Sequence, residues 1–257
     1  MKLRLPVDIA ENYTSSSQRI RVMTEYWVNR SVFCPNCGSR LRQFNNNSPV
    51  ADFFCETCFE EYELKSKNGA MGEKIVDGAY KTMIERLQSD NNPIFFFLSY
   101  DKSTLAIKNF LTIPKYFFVP DIIERRKALN PTARRAGWVG CNIVMTNVPE
   151  FGKIFYVQNG VVKSKDEVLE KWGKTEFVKS TSDIEAKGWI LDVLLCVERI
   201  KKEEFTLDEV YGFEGYLQAK HPLNNNVKPK IRQQLQFLRD KGLIEFIGRG
   251  RYRMTRP

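Results

Sequence analysis

PVADFFCETCFEEYELK, residues 49–65, holds an aspartate, a cysteine pair and a glutamate-x-lysine triplet in one short run, and its reading decides the fold. Cys55-Glu-Thr-Cys58 is matched upstream by Cys34-Pro-Asn-Cys37, with 17 residues between the two pairs. That spacing lets two knuckles close on one tetrahedral ion. Four thiolates complete the shell of zinc, a borderline-soft cation without redox chemistry, so a structural zinc is expected. Beyond the knuckle, residues two apart on an extended strand share a face. Glu63 and Lys65 are therefore expected to point one way, and Tyr62 and Leu64 into the core. The second knuckle then serves as the turn that lays the Asp52 strand beside the Glu63 strand, so closing the zinc site would fix the register of the two carboxylates.

Two carboxylates and a lysine on one surface suit phosphodiester hydrolysis. Carboxylate oxygens hold one or two hard cations such as magnesium, and a lysine positions water and stabilises negative charge on the phosphate. His221 is the sole histidine, which excludes histidine-dependent nucleases, catalytic triads and Cys/His zinc hydrolases. Lying in the polar run KHPLNNN, His221 reads as a loop residue. Glu56, Glu60, Glu61 and Glu63 crowd together in a chain of net charge +9, an odd arrangement near phosphates unless some of them bind cations. Glu61 shares the face of Glu63 and Lys65 and is the first alternative ligand. Alone, an aspartate followed by E-x-K is a weak pattern, since a solvated strand face gives the same letters.

Lys and Arg total 40 against 31 Asp and Glu, a balance that favours a polyanionic partner without separating DNA, RNA and anionic membrane. No apolar run approaches the roughly 18 to 20 residues needed to span a bilayer. The N-terminal MKLRLPVDIAENY turns acidic before any signal-peptide core develops, so a soluble, cytoplasmic protein is expected. A chain of 257 residues is expected to form two domains. Cys141 and Cys196, outside the two pairs, read as small buried apolar residues.

Serines 15 to 17 offer caps for an amphipathic helix through Ile20, Met23 and Trp27. Ile75, Ala79, Met83 and Leu87 read as one helical face, PIFFFLSY as a buried strand, and 105–113 as a further strand stopped by Pro114. Asn159-Gly160 between apolar runs predicts a hairpin turn. The polar stretch 175–187 marks a junction. After it, WILDVLLCVERI, TLDEVYGFEGYLQAK and PKIRQQLQFLRDKG read as three helices, and LIEFIGRGRYRM as strand, tight turn, strand. The expected fold class is α+β/α/β, a mixed β-sheet domain with an inserted four-cysteine zinc site followed by a C-terminal winged helix domain.

On the third C-terminal helix Ile231, Leu235 and Leu238 form the inward stripe, leaving Lys230, Arg232, Gln233 and Gln236 outward or on the flank, as a face for a major groove. Glutamine pairs with an adenine edge, although N6-methylation removes one of the hydrogens for that pairing. Arg249, Arg251 and Arg253 follow on the wing, where phosphate contact is expected. Arg134, Arg135 and Trp138 lie in a loop that reads as DNA-facing, with the indole stacking on or wedging into DNA. Solubilising arginines and a core tryptophan are the plain alternatives.

Asp52, Glu63 and Lys65 resemble the three signature positions of the PD-(D/E)xK nuclease superfamily, with the proline three residues before the aspartate instead of next to it. This resemblance implies that the Leu64 carbonyl joins Asp52 and Glu63 as a magnesium ligand. In order along the chain, VFCPNCG, PVADFFC, EYELKSK, DGAYKTM, SDNNPIFFFLSY, PTARRAGWVGCNI and IRQQLQFLRDKGLIEFIGRGRY resemble the DpnI family of methyl-directed, type IIM restriction endonucleases over nearly the full chain. The resemblance implies a monomeric enzyme that cuts double-stranded DNA at GATC only when the adenine carries an N6-methyl group. The same resemblance implies a blunt cut between methyladenine and thymine, with both domains reading the site. The division expected is a catalytic domain over 1–182 and a winged helix domain over 183–257. Two alternatives stay open: a non-enzymatic zinc-ribbon and winged-helix reader of methylated DNA, and a nuclease with another target.

Overall fold

The computed structural model describes residues 1–44, 51–87, 92–181 and 183–255. Pro49 and Ser182, at the start of the quoted run and at the expected domain boundary, lie outside the described residues. The chain opens with α1 (Ser16–Ser31), β1 (Leu41–Gln43), β2 (Phe53–Cys55), β3 (Glu61–Asn68), β4 (Lys74–Ala79) and α2 (Tyr80–Leu87). It continues through β5 (Ile94–Tyr100), β6 (Ile107–Ile113), β7 (Ile123–Arg125), β8 (Gly140–Val144), β9 (Ile154–Gln158), β10 (Val161–Val162) and α3 (Lys165–Lys179). The last part holds α4 (Ile184–Ile200), β11 (Glu204–Thr206), α5 (Leu207–Tyr211), α6 (Glu214–Lys220), α7 (Val227–Asp240), β12 (Ile244–Gly248) and β13 (Arg251–Met254).

Seven strands form the main sheet in the order β1-β2-β3-β5-β6-β9-β10. It is mixed, because β3 and β5 run parallel while their outer neighbours are antiparallel. Strand β5 is buried on both faces, as its unbroken apolar run requires. Phe96 and Leu98 point into a core shared with Trp27 of α1 and Trp172 of α3, whereas Phe95 and Phe97 point into one shared with Ile75 and Ile143 of a smaller sheet, β4-β8-β7. The two-residue period of a strand thus divides one run between two cores. Asn159 and Gly160 turn β9 into β10 with φ of 50° and 77°, the left-handed pair that a tight hairpin needs.

Residues 74–79 are a strand and not the first turns of a helix. β-Branched Ile75 and Val76 suit a pleated surface, and they pair with Ile143 and Asn142 of β8. The register slips between Asp77 and Ala79, where Gly78 lets the chain turn into α2. Ile75 and Met83 still reach the same core, which is why a helical period fitted them. Ser15 sits at the N-cap of α1, but its hydroxyl meets Ser17 Oγ at 2.9 Å instead of the helix backbone.

The C-terminal part is a winged helix, with α4, α7 and the strand order β11-β13-β12 around one core of Leu194, Ile231, Leu235 and Leu238. The wing has three strands instead of two, because Glu204–Thr206 pairs with β13. TLDEVYGFEGYLQAK forms two short helices, broken after Tyr211, and residues 175–179 of the expected junction are the last turn of α3. His221 is not a free loop residue. It ends α6, stacks on Trp189 with centroids 3.9 Å apart and meets Asp192 Oδ2 through Nε2 at 2.9 Å. Cys141 and Cys196 are fully buried. Among the described residues no helix is long and apolar enough to cross a membrane.

The winged helix is docked on the sheet domain by polar ties. Lys220 Nζ bridges Asp192 Oδ1 at 2.5 Å and Asp121 Oδ2 at 3.3 Å, and the Glu198 carboxylate accepts the backbone N–H groups of Glu150 at 2.8 Å and Phe151 at 3.0 Å. Burial raises the Glu198 pKa, so this carboxylate is desolvated. Glu198→Ala is expected to remove both hydrogen bonds and to cost about 2 kcal/mol, within the usual range for hydrogen bonds to a charged group, readable as a lower midpoint in urea unfolding.

Candidate active site and nucleic-acid interface

The four cysteines of the two knuckles converge. Their sulfurs lie within 4.8 Å of one another, with Cys34 to Cys58 and Cys37 to Cys55 each 3.5 Å apart. A zinc–sulfur bond of about 2.3 Å in tetrahedral geometry sets sulfurs about 3.8 Å apart, so the cage is of the size that ion needs. Burial works against the thiolate at Cys34, Cys37 and Cys58 and holds Cys34 and Cys58 above the ordinary thiol range. At Cys37 hydrogen bonds from Ser39, Cys55 and Cys34 together outweigh it and bring the thiol down to about 7, so Cys37 is the cysteine that most readily offers the thiolate a metal requires. Each knuckle turns through a left-handed residue after its second cysteine, Gly38 at φ 75° and Phe59 at φ 60°.

The knuckle does act as the turn between β2 and β3, with Phe53 opposite Tyr62 and Phe54 opposite Glu61. Asp52 stands in a bend one residue before β2, where its N–H is held by the Tyr62 carbonyl at 2.9 Å. Because β2 pairs only with residues 61 and 62, the edge of β3 from Glu63 onward is uncovered on that side. Asp52 Oδ2 accepts the Leu64 N–H there at 2.7 Å. The N–H and C=O of one strand residue face the same edge, so the Leu64 carbonyl also looks toward Asp52. Asp52, Glu63 and Leu64 line one cleft of about 710 Å³, walled by Thr24 and Glu25 of α1.

Glu63 and Lys65 share a face, with Nζ 2.5 Å from Oε1. Tyr62 is fully buried, and Leu64 is half-buried against the same core. Two partners were not foreseen. Asp77 at the end of β4 forms an ion pair with Lys65, and Arg86 of α2 reaches Glu63 Oε2 at 3.4 Å. Burial works against the Lys65 ammonium, but Glu63 and Asp77 outweigh it and raise its pKa. Burial likewise raises the Glu63 pKa, against the pull of Lys65 and Arg86. Glu25, also unforeseen, is buried, gives its oxygens to Arg21 at 2.6 Å and Gln43 at 3.0 Å, and feels the charge of Asp52. Of the acidic cluster, Glu56 is paired with Arg42 and Glu60 with Lys115. Glu61 has no polar side-chain partner among the described residues.

On α7, Ile231, Leu235 and Leu238 are buried as expected, and Gln234 with them. Arg232, Gln233 and Gln236 are exposed and Lys230 is half-buried, so the four lie on the outward face and flank. The wing arginines differ from one another. Arg251 and Arg253 are paired with Glu204, at 3.2 and 2.6 Å, while Arg249 is exposed at the turn. In the 126–139 loop Arg134 and Arg135 are exposed, and the Arg135 guanidinium lies 4.7 Å from the centroid of the half-buried Trp138 ring. That ring packs against Gly140, where a Cβ would come within 2.7 Å of it.

A mixed-sheet domain with a four-cysteine cage and a carboxylate cleft, joined to a winged helix, defines a DNA-binding protein in which a second domain is attached to the DNA-binding one. The family model DpnI, described as the Dam-replacing family, matches residues 1–181, and the model described as the Dam-replacing HTH domain matches 185–254. The chain belongs to the DpnI family of methyl-directed restriction enzymes.

Proposed function

We propose that the protein is a type II restriction endonuclease of PD-(D/E)xK type that hydrolyses double-stranded DNA at GATC sites carrying N6-methyladenine, requires magnesium and leaves blunt ends. One observation supports the catalytic part most directly: Asp52, Glu63 and the open edge at Leu64 meet in a single cleft with Lys65 ion-paired to Glu63. Membership of the DpnI family supports the methyl-directed part, and the GATC target and blunt cut follow from the same resemblance. The enzyme works as a cytoplasmic monomer, with the catalytic domain over 1–182, the winged helix over 183–257 and a structural zinc on Cys34, Cys37, Cys55 and Cys58.

The donors at the cleft are hard oxygens, which fit magnesium. Asp52, Glu63 and the Leu64 carbonyl would hold it. When bound, it supplies the positive charge that polarises the scissile phosphate and makes water a stronger acid at neutral pH. Lys65 orients the attacking water and stabilises the charge that builds on the phosphate oxygens. Asp77 keeps the Lys65 ammonium in place, and Arg86 anchors the far oxygen of Glu63.

Contacts to DNA come from Lys230, Arg232, Gln233 and Gln236 of α7, from Arg249, Arg251 and Arg253 of the wing, and from Arg134, Arg135 and Trp138. Arg249 contributes most on the wing, because Glu204 offsets the other two charges. Each lost phosphate contact lowers the salt slope of binding by about 1. The double variant Arg134→Ala/Arg135→Ala is therefore expected to lower that slope by about 1 to 2 and to leave the cut positions unchanged, as read from binding isotherms at several salt concentrations.

A labelled duplex with one GATC, prepared unmethylated, hemimethylated and fully methylated, tests the proposal. Cleavage confined to methylated duplex, with both strands cut opposite each other, is the expected result. Cleavage of the unmethylated duplex would move the target, and intact but retarded DNA in magnesium would leave a reader in place of a nuclease.

A further inference from the structure

Tyr62 occupies a place that neither the cage nor the cleft explains alone. Its ring is fully buried and stacked on Phe96, with centroids 4.7 Å apart and planes within 8°. Its hydroxyl lies 3.1 Å from Cys34 Sγ, its carbonyl accepts the Asp52 N–H at 2.9 Å, and the next residue is Glu63. One residue thus touches a sulfur of the cage, the backbone of one cleft carboxylate and the chain of the other.

We propose that Tyr62 is a positioning residue for the zinc site, its hydroxyl donating a hydrogen bond to the Cys34 sulfur and through it tying zinc retention to the register of Asp52 and Glu63. The inference rests on the four-cysteine zinc reading and not on the nuclease reading. A metal-bound thiolate carries no proton, so in the loaded cage the hydroxyl has to be the donor. Partners beyond the direct ligands orient those ligands and tune the metal, and their loss commonly weakens metal affinity by about 10- to 100-fold. Phe96 stacks on the phenol ring and supports it in the position that brings its oxygen to the sulfur. The bond also offsets part of the charge of four thiolates on a divalent ion, at Cys34, which is fully buried.

Tyr62→Phe keeps the stacked ring and removes only the hydroxyl. Tyr116→Phe is the control, a buried tyrosine of the same sheet domain whose hydroxyl meets Thr175 Oγ1 at 2.6 Å, away from the cage. Zinc transfer from each full-length protein to a chromophoric chelator is followed with time, and the cobalt-substituted proteins are compared by absorption. Release about 10-fold or more faster from Tyr62→Phe than from wild type, with Tyr116→Phe unchanged, is the expected result. The sulfur-to-cobalt charge-transfer band should move to longer wavelength in Tyr62→Phe alone, because a thiolate without its hydrogen bond gives up an electron more easily. Equal release rates and an unmoved band would overturn the role of Tyr62 while leaving the cage standing. A wild-type protein that takes up neither metal would overturn the cage reading and this inference together.

Discussion

Asp52→Asn is expected to abolish cleavage of methylated duplex while the protein still retards the same DNA. The amide keeps an oxygen to accept the Leu64 N–H, now 2.7 Å away, so the local fold stays and only the charge is lost. Removing a cation held by carboxylates forfeits several kcal/mol of transition-state stabilisation, which corresponds to a fall of about 10³-fold in rate. Asp52→Ala should give the same loss, with a further cost in stability because Leu64 then loses its partner. Retardation should persist in both variants, since the exposed arginines and α7 are elsewhere in the chain. Comparable turnover in Asp52→Asn would remove this residue from the metal site and turn attention to Glu25 and Glu61.

Cys34→Ser is expected to destabilise the sheet domain far more than any single contact would. Structural zinc contributes roughly 10 to 16 kcal/mol in small domains, against total stabilities of about 5 to 15 kcal/mol. Even a partial loss is large on that scale. At roughly 2 to 4 °C per kcal/mol for a chain of this size class, the melting temperature should fall by about 10 °C or more. Strong chelation of wild type should reproduce the fall, and added zinc should reverse it for wild type but not for Cys34→Ser. Scanning calorimetry checks both. Equal melting temperatures with and without zinc would mean that the cage is not structural.

Much of the sheet domain was legible because its signals are local. The cysteine spacing gave the cage, the apolar run 93–100 gave a central strand, and alternation put Glu63 and Lys65 on one face and Tyr62 in the core. Asp77 and Arg86 were not legible, because their approach to Lys65 and Glu63 depends on how β4 and α2 fold back, which no local spacing records. The misreading of 74–79 had the same origin: Ile75 and Met83 share a core, and a helical period fits two residues that reach it by different routes. The polar neighbours of His221 read as a loop, yet Trp189 and Asp192 on α4 hold it, 32 and 29 residues away in sequence. The third wing strand was missed because Glu204–Thr206 is too short to show an alternation of its own. The bend that puts Asp52 at an uncovered edge of β3 lies in the pairing of two strands, and the letters PVAD do not carry it.

The most direct test of the account is digestion of one plasmid prepared with and without adenine methylation at GATC, in magnesium and in EDTA, read on a gel. The account predicts discrete fragments from the methylated plasmid in magnesium alone. A methylated plasmid left intact in magnesium, with the zinc-loaded protein bound to it, would contradict it.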